Sequence, residues 1–568
     1  MQRILSKNDM QKADRWTSEE MHLPPSVLME RAALKIACEA EELLIDCPKN
    51  KSNILVLAGT GNNGADAIAA GRILLERGWK SIDVSLIGAK EKRSSLLTQQ
   101  LISYKEALWV YGAVDIDDED DEDLSIESHI MEGLPESEDY DLIIDGLLGL
   151  SFHGSLREPF KRAIEYANFC KSKSRILSVD LPSGVYADPD QKTDLAVEAD
   201  STVCLGMYKP SLLIFPGKNY AGRVSLAEIG IPQGFDGFIH PPYPMNLLEK
   251  EDAVLPLRKS NSHKGTYGKI LIIAGNEEMA GAALLSARAA LMSGAGMVRV
   301  LTHSSNRTII ASALPESLIS VYDGADSALA QLEKSFPWCD SIAIGPGLGR
   351  GETSRALTEN VIRHEYPRKM PLVLDADALN IISESPVLMQ YLLSNNSISP
   401  ILTPHIGEMK RLIDSLSGPA EIPDPVRDPI GAARLFSRHF RLCLALKSAV
   451  TIVSDPEARI YINSFLGNNG MSTAGSGDVL TGITAAIAAA PSDENEALST
   501  GLIAARAVAV HALCGDIAAQ KKGRHSMTAS DIIEGLAELD HTRQTMMSIQ
   551  EAPSLLKNLP RLGTRRRL

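Results

Sequence analysis

Residues 470–482 read Gly-Met-Ser-Thr-Ala-Gly-Ser-Gly-Asp-Val-Leu-Thr-Gly. Glycines, small hydroxyls and one carboxylate stand at the head of an apolar stretch expected to be helical over 479–490. Glycine lets backbone N–H groups approach an anion closely. The helix start adds unpaired N–H groups and the positive end of its dipole. Together they suit a phosphoryl group in transfer. An ionised Asp478 has only acceptors to offer, so it does not bind the phosphate. It reads as the base that takes a proton from an attacking hydroxyl. The plainer reading is a glycine turn with Asp478 as a helix cap.

Other runs in the second half share this placement at strand ends. His263-Lys264-Gly265-Thr266-Tyr267-Gly268-Lys269 leads into an apolar strand at 270–274, and an Ala-rich helix follows at 280–292. Further on stand Gly345-Pro346-Gly347-Leu348-Gly349, Leu374-Asp375-Ala376-Asp377-Ala378-Leu379-Asn380, Thr403-Pro404-His405-Ile406-Gly407-Glu408 and Leu446-Lys447-Ser448-Ala449-Val450-Thr451. In open α/β sheets, ligands sit at the carboxyl ends of strands.

The first half has its own polar strand ends. After a strand at 53–58 comes Gly59-Thr60-Gly61-Asn62-Asn63-Gly64-Ala65-Asp66, with a helix expected from Ala67 to Arg77. This contains G-x-G-x-x-G, yet the next strand ends in Gly88-Ala89-Lys90, without the acid that a ribose would need. A hydride-transferring dinucleotide domain is therefore disfavoured. The loop is unusually polar for a turn. Asp145 and Asp180-Leu181-Pro182-Ser183 close two further apolar strands. Oxygens from Asn63, Asp145 and Ser183 would make an all-oxygen site for a hard cation.

The chain that must position these groups has 568 residues, 44% hydrophobic and 23% charged, which suits two globular domains. A net charge of -15 argues against nucleic acid or anionic membrane as partner. Seven dispersed cysteines without a Cys-x-x-Cys pair fit reduced thiols in a cytosol. The polar start, 1–16, does not read as a signal peptide, and the apolar stretch near 485–490 is too short to span a bilayer. A Pro-rich stretch, 230–263, places a boundary near residue 240. The acidic run Asp115 to Asp123 reads as a solvated surface loop, and Arg565 to Arg567 as a frayed tail.

The order of motifs over about 250–545 resembles the ribokinase-like superfamily, and within it the ADP- or ATP-dependent NAD(P)H-hydrate dehydratases. Residues 1–235 resemble the NAD(P)H-hydrate epimerases, through the Asn63, Asp145 and Ser183 motifs with Lys209-Pro210, Pro216-Gly217 and Ala221-Gly222-Arg223-Val224. The resemblance implies an α/β protein of two domains. An N-terminal Rossmann-like three-layer α/β/α sandwich would occupy 1–240, and a C-terminal ribokinase-like α/β/α domain 241–550. It implies that the first interconverts the (R) and (S) epimers of NAD(P)H-hydrate, and that the second dehydrates the S form with ADP. In the first domain, Asn62, Asn63, Gly64, Ala65 and Asp66 would bind the hydrated dinucleotide. Gly149, Leu150, Ser151, Phe152, His153, Gly154 and Ser155 would line its diphosphate region. Asp180 would meet the reactive ring as the acid–base group, with K+ held by Asn63, Asp145 and Ser183. In the second domain, Ala282, Gly347, His405 and Asp478 would face the hydrate. Lys447, Ser448, Ala449, Val450, Thr451 and Gly477 would hold the nucleotide, which carries Mg2+.

Several positions depart from the family patterns: Ala65 and Ala67 stand for Gly, Leu150-Ser151 for Thr-Gly, Ser448 for the Gly after Lys447, and Val450 for a small residue. Ala65 adds a methyl where backbone and ligand approach, and Leu150 removes a hydroxyl. A ribokinase-like small-molecule kinase with a decayed N-terminal binding module is the alternative, and a nucleotide-sensing scaffold a third reading. The expected partners are small molecules and a second copy of the chain in a cytoplasmic homo-oligomer.

Overall fold

The computed structural model describes residues 1–111, 128–189, 193–232, 243–416, 421–490 and 498–539. The acidic run, the boundary near 240 and the C-terminal arginines lie outside them. The chain divides into two compact units, Gln2–Asn246 and Leu247–Leu568, the latter also including Met1.

The N-terminal unit is built on seven strands: β1 (Asn53–Ala58), β2 (Ser81–Leu86), β3 (Ile130–Glu132), β4 (Leu142–Gly146), β5 (Arg175–Val179), β6 (Ser201–Leu205) and β7 (Arg223–Ala227). Their order is β3-β2-β1-β4-β5-β6-β7, and every pairing is parallel. Runs such as Leu142-Ile143-Ile144 are buried, as expected of strands covered on both faces. Helices α1 (Lys7–Glu19), α2 (Pro25–Leu43) and α3 (Asn62–Glu76) bury small apolar residues against one face. A second apolar cluster covers the other. The chain runs outward from β1 to β3, then returns to β4 beside β1. That reversal opens a crevice at the carboxyl ends of β1 and β4.

The C-terminal unit repeats the plan. Its strands are β8 (Lys269–Ile273), β9 (Met297–His303), β10 (Leu318–Tyr322), β11 (Ser341–Ile344), β12 (Met370–Leu374), β13 (Ile398–Leu402), β14 (Cys443–Leu446), β15 (Thr451–Ser454) and β16 (Ile460–Asn463). They lie in the order β16-β15-β14-β13-β12-β11-β8-β9-β10. Pairings from β10 to β14 are parallel, while β15 and β16 return antiparallel. The order reverses between β8 and β11, so the loops after these strands flank a second crevice. Helices α4 (Ala280–Met292), α5 (Ala376–Ser383), α6 (Ile406–Ser415), α7 (Ser476–Ala489) and α8 (Thr500–Lys522) complete the parts that matter for function. Helix α7 is buried along most of its length and packs on both α4 and α8.

Two elements differ from the sequence reading. Helix α3 begins at Asn62, five residues before the expected Ala67, because extended Gly61 already caps it. The polar residues therefore lie on the first turns of a helix rather than in a loop. The most apolar long helix is α8 and not the 485–490 stretch. Among the described residues α8 alone has the length and composition to cross a membrane, yet 56% of its apolar window is buried inside the protein. It is a core helix, lined by Ala504, Ala505, Val508 and Ala512. All seven cysteines are free.

Candidate active sites

In the C-terminal unit, Gly475 caps α7 in the left-handed conformation, with φ 87°. This turns the chain so that Ser476, Gly477 and Asp478 occupy the first three helical positions; the Ser476 N–H donates to the Thr473 carbonyl at 3.3 Å, and those of Gly477 and Asp478 have no intrahelical partner. The cap position is taken by Gly475 and Asp478 stands two residues inside the helix start, against the plainer reading of it as the cap. Burial first, and the neighbouring Asp375 next, push its carboxyl up to about 6, while Lys447 pulls it down.

Asp375 directly follows β12, at the cap position of α5, and is buried. One of its oxygens accepts from Lys447 Nζ at 2.7 Å and the other from Thr481 Oγ1 at 2.7 Å. A Cβ at Gly477 would lie 3.3 Å from Lys447 Nζ, so the ammonium rests against the glycine turn. Ala376, directly after Asp375, has φ 47°, a costly conformation for a residue with a Cβ. Asp377 accepts from the Gly349 N–H at 2.8 Å. On the opposite side of the crevice, a Cβ at Gly347 would come 2.7 Å from Ala282 Cβ, which places these two residues side by side.

His405 caps α6. Its Nδ1 accepts from Gly407 N at 2.9 Å, and Glu408 returns a bond to the His405 N–H at 2.8 Å. With Nδ1 an acceptor, the ring proton sits on Nε2. Burial, then Lys447 and Arg411, lower its pKa and keep it neutral. His405 is thus a cap whose Nε2 lies 3.5 Å from Glu408 Oε1. The Lys447 N–H bonds the Pro404 carbonyl, which joins the His405 and Lys447 loops. Ser448 Oγ donates to the Val450 carbonyl at 2.7 Å, and the Val450 side chain is buried. Ser448 and Val450 therefore build the loop, and Thr451 opens β15 beyond it. Sequence reasoning assigned no role to Asp375, Thr481 or His511. His511 on α8 lies 3.3 Å from Ser476 Oγ, and burial pushes it down to about 4, leaving a neutral ring under the glycine turn. The quoted motif contained Asp375, but nothing in sequence spacing foretold its contact with Lys447, 72 residues away.

In the N-terminal unit a cavity of about 660 Å3 opens at the crevice. Thr60, Asn62, Asn63 and Asp66 line it from the β1 end, and Gly149, Leu150, Ser151, Phe152 and His153 from the β4 end. Asp180 and Lys209 also face it. Gly64, Ala65, Gly154 and Ser155 do not line the cavity. The Ala65 methyl is fully buried in the core, so it does not crowd a ligand as the sequence suggested. Leu150 lines the wall without a hydroxyl.

Asp180 has φ 63°, an uncommon conformation for an Asp and a mark of functional positions. Its carboxylate accepts from the Leu205 N–H at 3.1 Å and pairs with Lys209 Nζ. Burial works against the Lys209 ammonium, but Asp180 and Cys204 hold its pKa above the ordinary value. Sequence reasoning gave Lys209 no role and missed Asp14 on α1, which also lines the cavity. The one available signal was position: Asp14 borders the buried stripe Met10, Ala13 and Thr17.

Asp145 and Ser183 lie behind the 147–149 turn. Asp145 accepts from Ser183 Oγ at 2.6 Å, Ser183 N at 2.9 Å, Ser178 Oγ at 2.8 Å and Leu147 N at 3.3 Å. Ser183 Oγ also accepts from Leu148 N at 2.8 Å, and Asn63 Nδ2 donates to Leu148 O at 3.1 Å. The three side chains thus converge on one turn. Burial raises the Asp145 carboxyl despite these bonds, all of which come from neutral donors.

Two doubly wound α/β units, one with an anion-turn carboxylate and one with a polar cavity at its switch point, define a two-site nucleotide-handling enzyme. The family model for NAD(P)H-hydrate dehydratase matches residues 270–538, and that for the YjeF-related protein N-terminus matches 25–211. The bifunctional NAD(P)H-hydrate repair enzyme Nnr of Moorella thermoacetica is 32% identical over 94% of this chain and 96% of its own length. Its counterpart from Thermofilum pendens is 30% identical over 97% and 98%. An ADP/ATP-dependent NAD(P)H-hydrate dehydratase from Bacillus subtilis, co-crystallized with ATP/Mg2+, is 25% identical over 52% of this chain and 98% of its own, with a TM-score of 0.44. This chain belongs to the family of bifunctional NAD(P)H-hydrate repair enzymes.

Proposed function

We propose that the N-terminal unit interconverts the R and S epimers of hydrated NADH or NADPH, and that the C-terminal unit dehydrates the S epimer with ADP, giving AMP and phosphate. The observation that carries this reading is Asp478 on the glycine turn, half-sequestered and close to Lys447. A carboxyl pushed up to about 6 is ionised at neutral pH yet basic enough to accept a proton.

Asp478 takes the proton of the ring hydroxyl. That oxygen attacks the terminal phosphoryl of ADP, and AMP leaves. The Gly477 and Asp478 N–H groups receive the phosphoryl oxygens. Phosphate then leaves the ring carbon, and loss of a neighbouring proton restores the dihydronicotinamide. Lys447 and Gly477, with the loop Ser448, Ala449, Val450 and Thr451, hold the nucleotide. Ala282, Gly347 and His405 hold the hydrate. Mg2+ carried in with the nucleotide would neutralise diphosphate charge.

In the first unit, Asn62, Asn63, Asp66 and residues 149–153 bind the dinucleotide, and Asp180 acts on the ring. Gly64 and Ala65 support the first of these segments, and Gly154 and Ser155 the second. A buried Asp145 whose hydrogen-bond donors are all neutral calls for a countercharge. K+ held by Asn63, Asp145 and Ser183 would supply it and fix the 147–149 turn. Seven free thiols suit the cytoplasm, and we place the enzyme there as a homo-oligomer.

The test is product identity from the S epimer and ADP. One AMP and one phosphate should appear per NAD(P)H formed. A retained phosphorylated hydrate would make the chain a kinase.

A further inference from the structure

The cavity of the N-terminal unit is lined by five titratable residues: Asp14, Asp66, His153, Asp180 and Lys209. Asp180 and Lys209 satisfy each other as an ion pair. Asp66 is different. It is 8% exposed, lines the cavity, and has no hydrogen bond or ion pair to another residue among those described. A carboxylate buried in this way, without a cation or a donor, is costly. A neutral carboxylic acid is not, and it carries a proton that can be given away.

We infer that Asp66, beyond any part in binding, is the proton donor of epimerisation and works opposite the Asp180–Lys209 pair. The inference rests on the epimerase reading above. Its electrostatics agree: burial, and after it Asp180 and Asp14, push the Asp66 carboxyl well above the ordinary range. One cavity thus holds an acid kept neutral and a carboxylate kept paired, the division of roles that acid–base catalysis requires. In the forward step the bond between the ring carbon and its hydroxyl oxygen breaks. The electron pair leaves with the oxygen, and the Asp66 proton converts it to water. The ring nitrogen lone pair forms a C=N+ bond to the same carbon. Water then adds to the other face, its oxygen bonding to carbon as the C=N+ pair returns to nitrogen, and its proton passes to Asp180. Exchange with solvent returns a proton to Asp66 and removes one from Asp180.

The experiment follows interconversion of the two epimers by chromatography, with the full-length protein and no ADP. For the wild type, kcat should fall tenfold per pH unit on the alkaline side, as the acid ionises. Asp66→Asn should lower kcat by about 10²–10⁴-fold and abolish that alkaline limb, with KM and calorimetric binding of the hydrate changed only a few-fold. A merely binding residue would raise KM and leave the limb in place. Retention of kcat within threefold, or an unchanged limb in Asp66→Asn, overturns the inference. If that variant does not fold by circular dichroism, the wild-type profile decides: a limb supports the assignment and a flat profile overturns it. No epimerisation above the spontaneous rate by the wild type would instead overturn the epimerase reading, and this inference with it.

Discussion

Asp478 is poised between two costs. The unfolded chain releases its proton near pH 4, whereas the folded protein holds it up to about 6. The folded state binds the proton more tightly in that window, so stability falls as pH rises through it and stays lower above. The loss is at most ~3 kcal/mol. Asp478→Asn should therefore raise the Tm at neutral pH and leave it unchanged below about pH 4, which differential scanning calorimetry at the two pH values would check. The same variant should slow dehydration by roughly 10²–10⁴-fold, while nucleotide binding measured by calorimetry survives. Wild-type dehydration should itself decline as pH drops through about 6, where the base becomes protonated. Lys447 has the opposite balance. It faces a buried Asp375, so Lys447→Met strands that carboxylate and should cost ~3–5 kcal/mol in urea denaturation. It should also move the acid limb of dehydration to higher pH, because Lys447 lowers the Asp478 pKa. Glycines and a lone acid before an apolar helix made Asp478 legible in the sequence. Its neighbour Asp375, and the Thr481 hydroxyl that holds Asp375, were not, since their contact is made only by folding β12 beside α7.

At the level of elements, function sits on strand ends held by backbone geometry. Gly345, after β11, has φ 128°, and a Cβ there would overlap the Asp375 carbonyl oxygen. Gly345→Ala should destabilise the unit by on the order of 3 kcal/mol or more and weaken dehydration by displacing Asp375, read from a thermal melt and a rate assay. Parallel buried strands were easy to read because continuous apolar runs such as Ile270 to Ala274 allow little else. The start of α3 was harder. Asn62, Asn63 and Gly64 are weak helix formers, and Gly61 outweighs them by supplying the cap. Ala65 shows a related limit: sequence places the methyl in the loop motif, while helical phase turns it into the core.

For the molecule as a whole, each unit carries its own apolar clusters, and both follow the same plan of a doubly wound sheet with its site at the reversal of strand order. Two sets of strand-end motifs separated by a proline-rich stretch foretold two sites. What sequence lacked was depth: Asp66 stood in the binding motif and Lys209 in a family motif, but nothing in the sequence showed that folding buries both side chains beside one cavity. Together the two activities consume both epimers. The most direct measurement incubates the full-length protein with an R and S mixture of the hydrate, ADP and Mg2+, and follows reduced nicotinamide by absorbance. The account predicts conversion of the whole mixture, faster than spontaneous epimerisation allows. A rapid phase that consumes only the S epimer and then slows to the spontaneous rate, or no NAD(P)H at all, would contradict it.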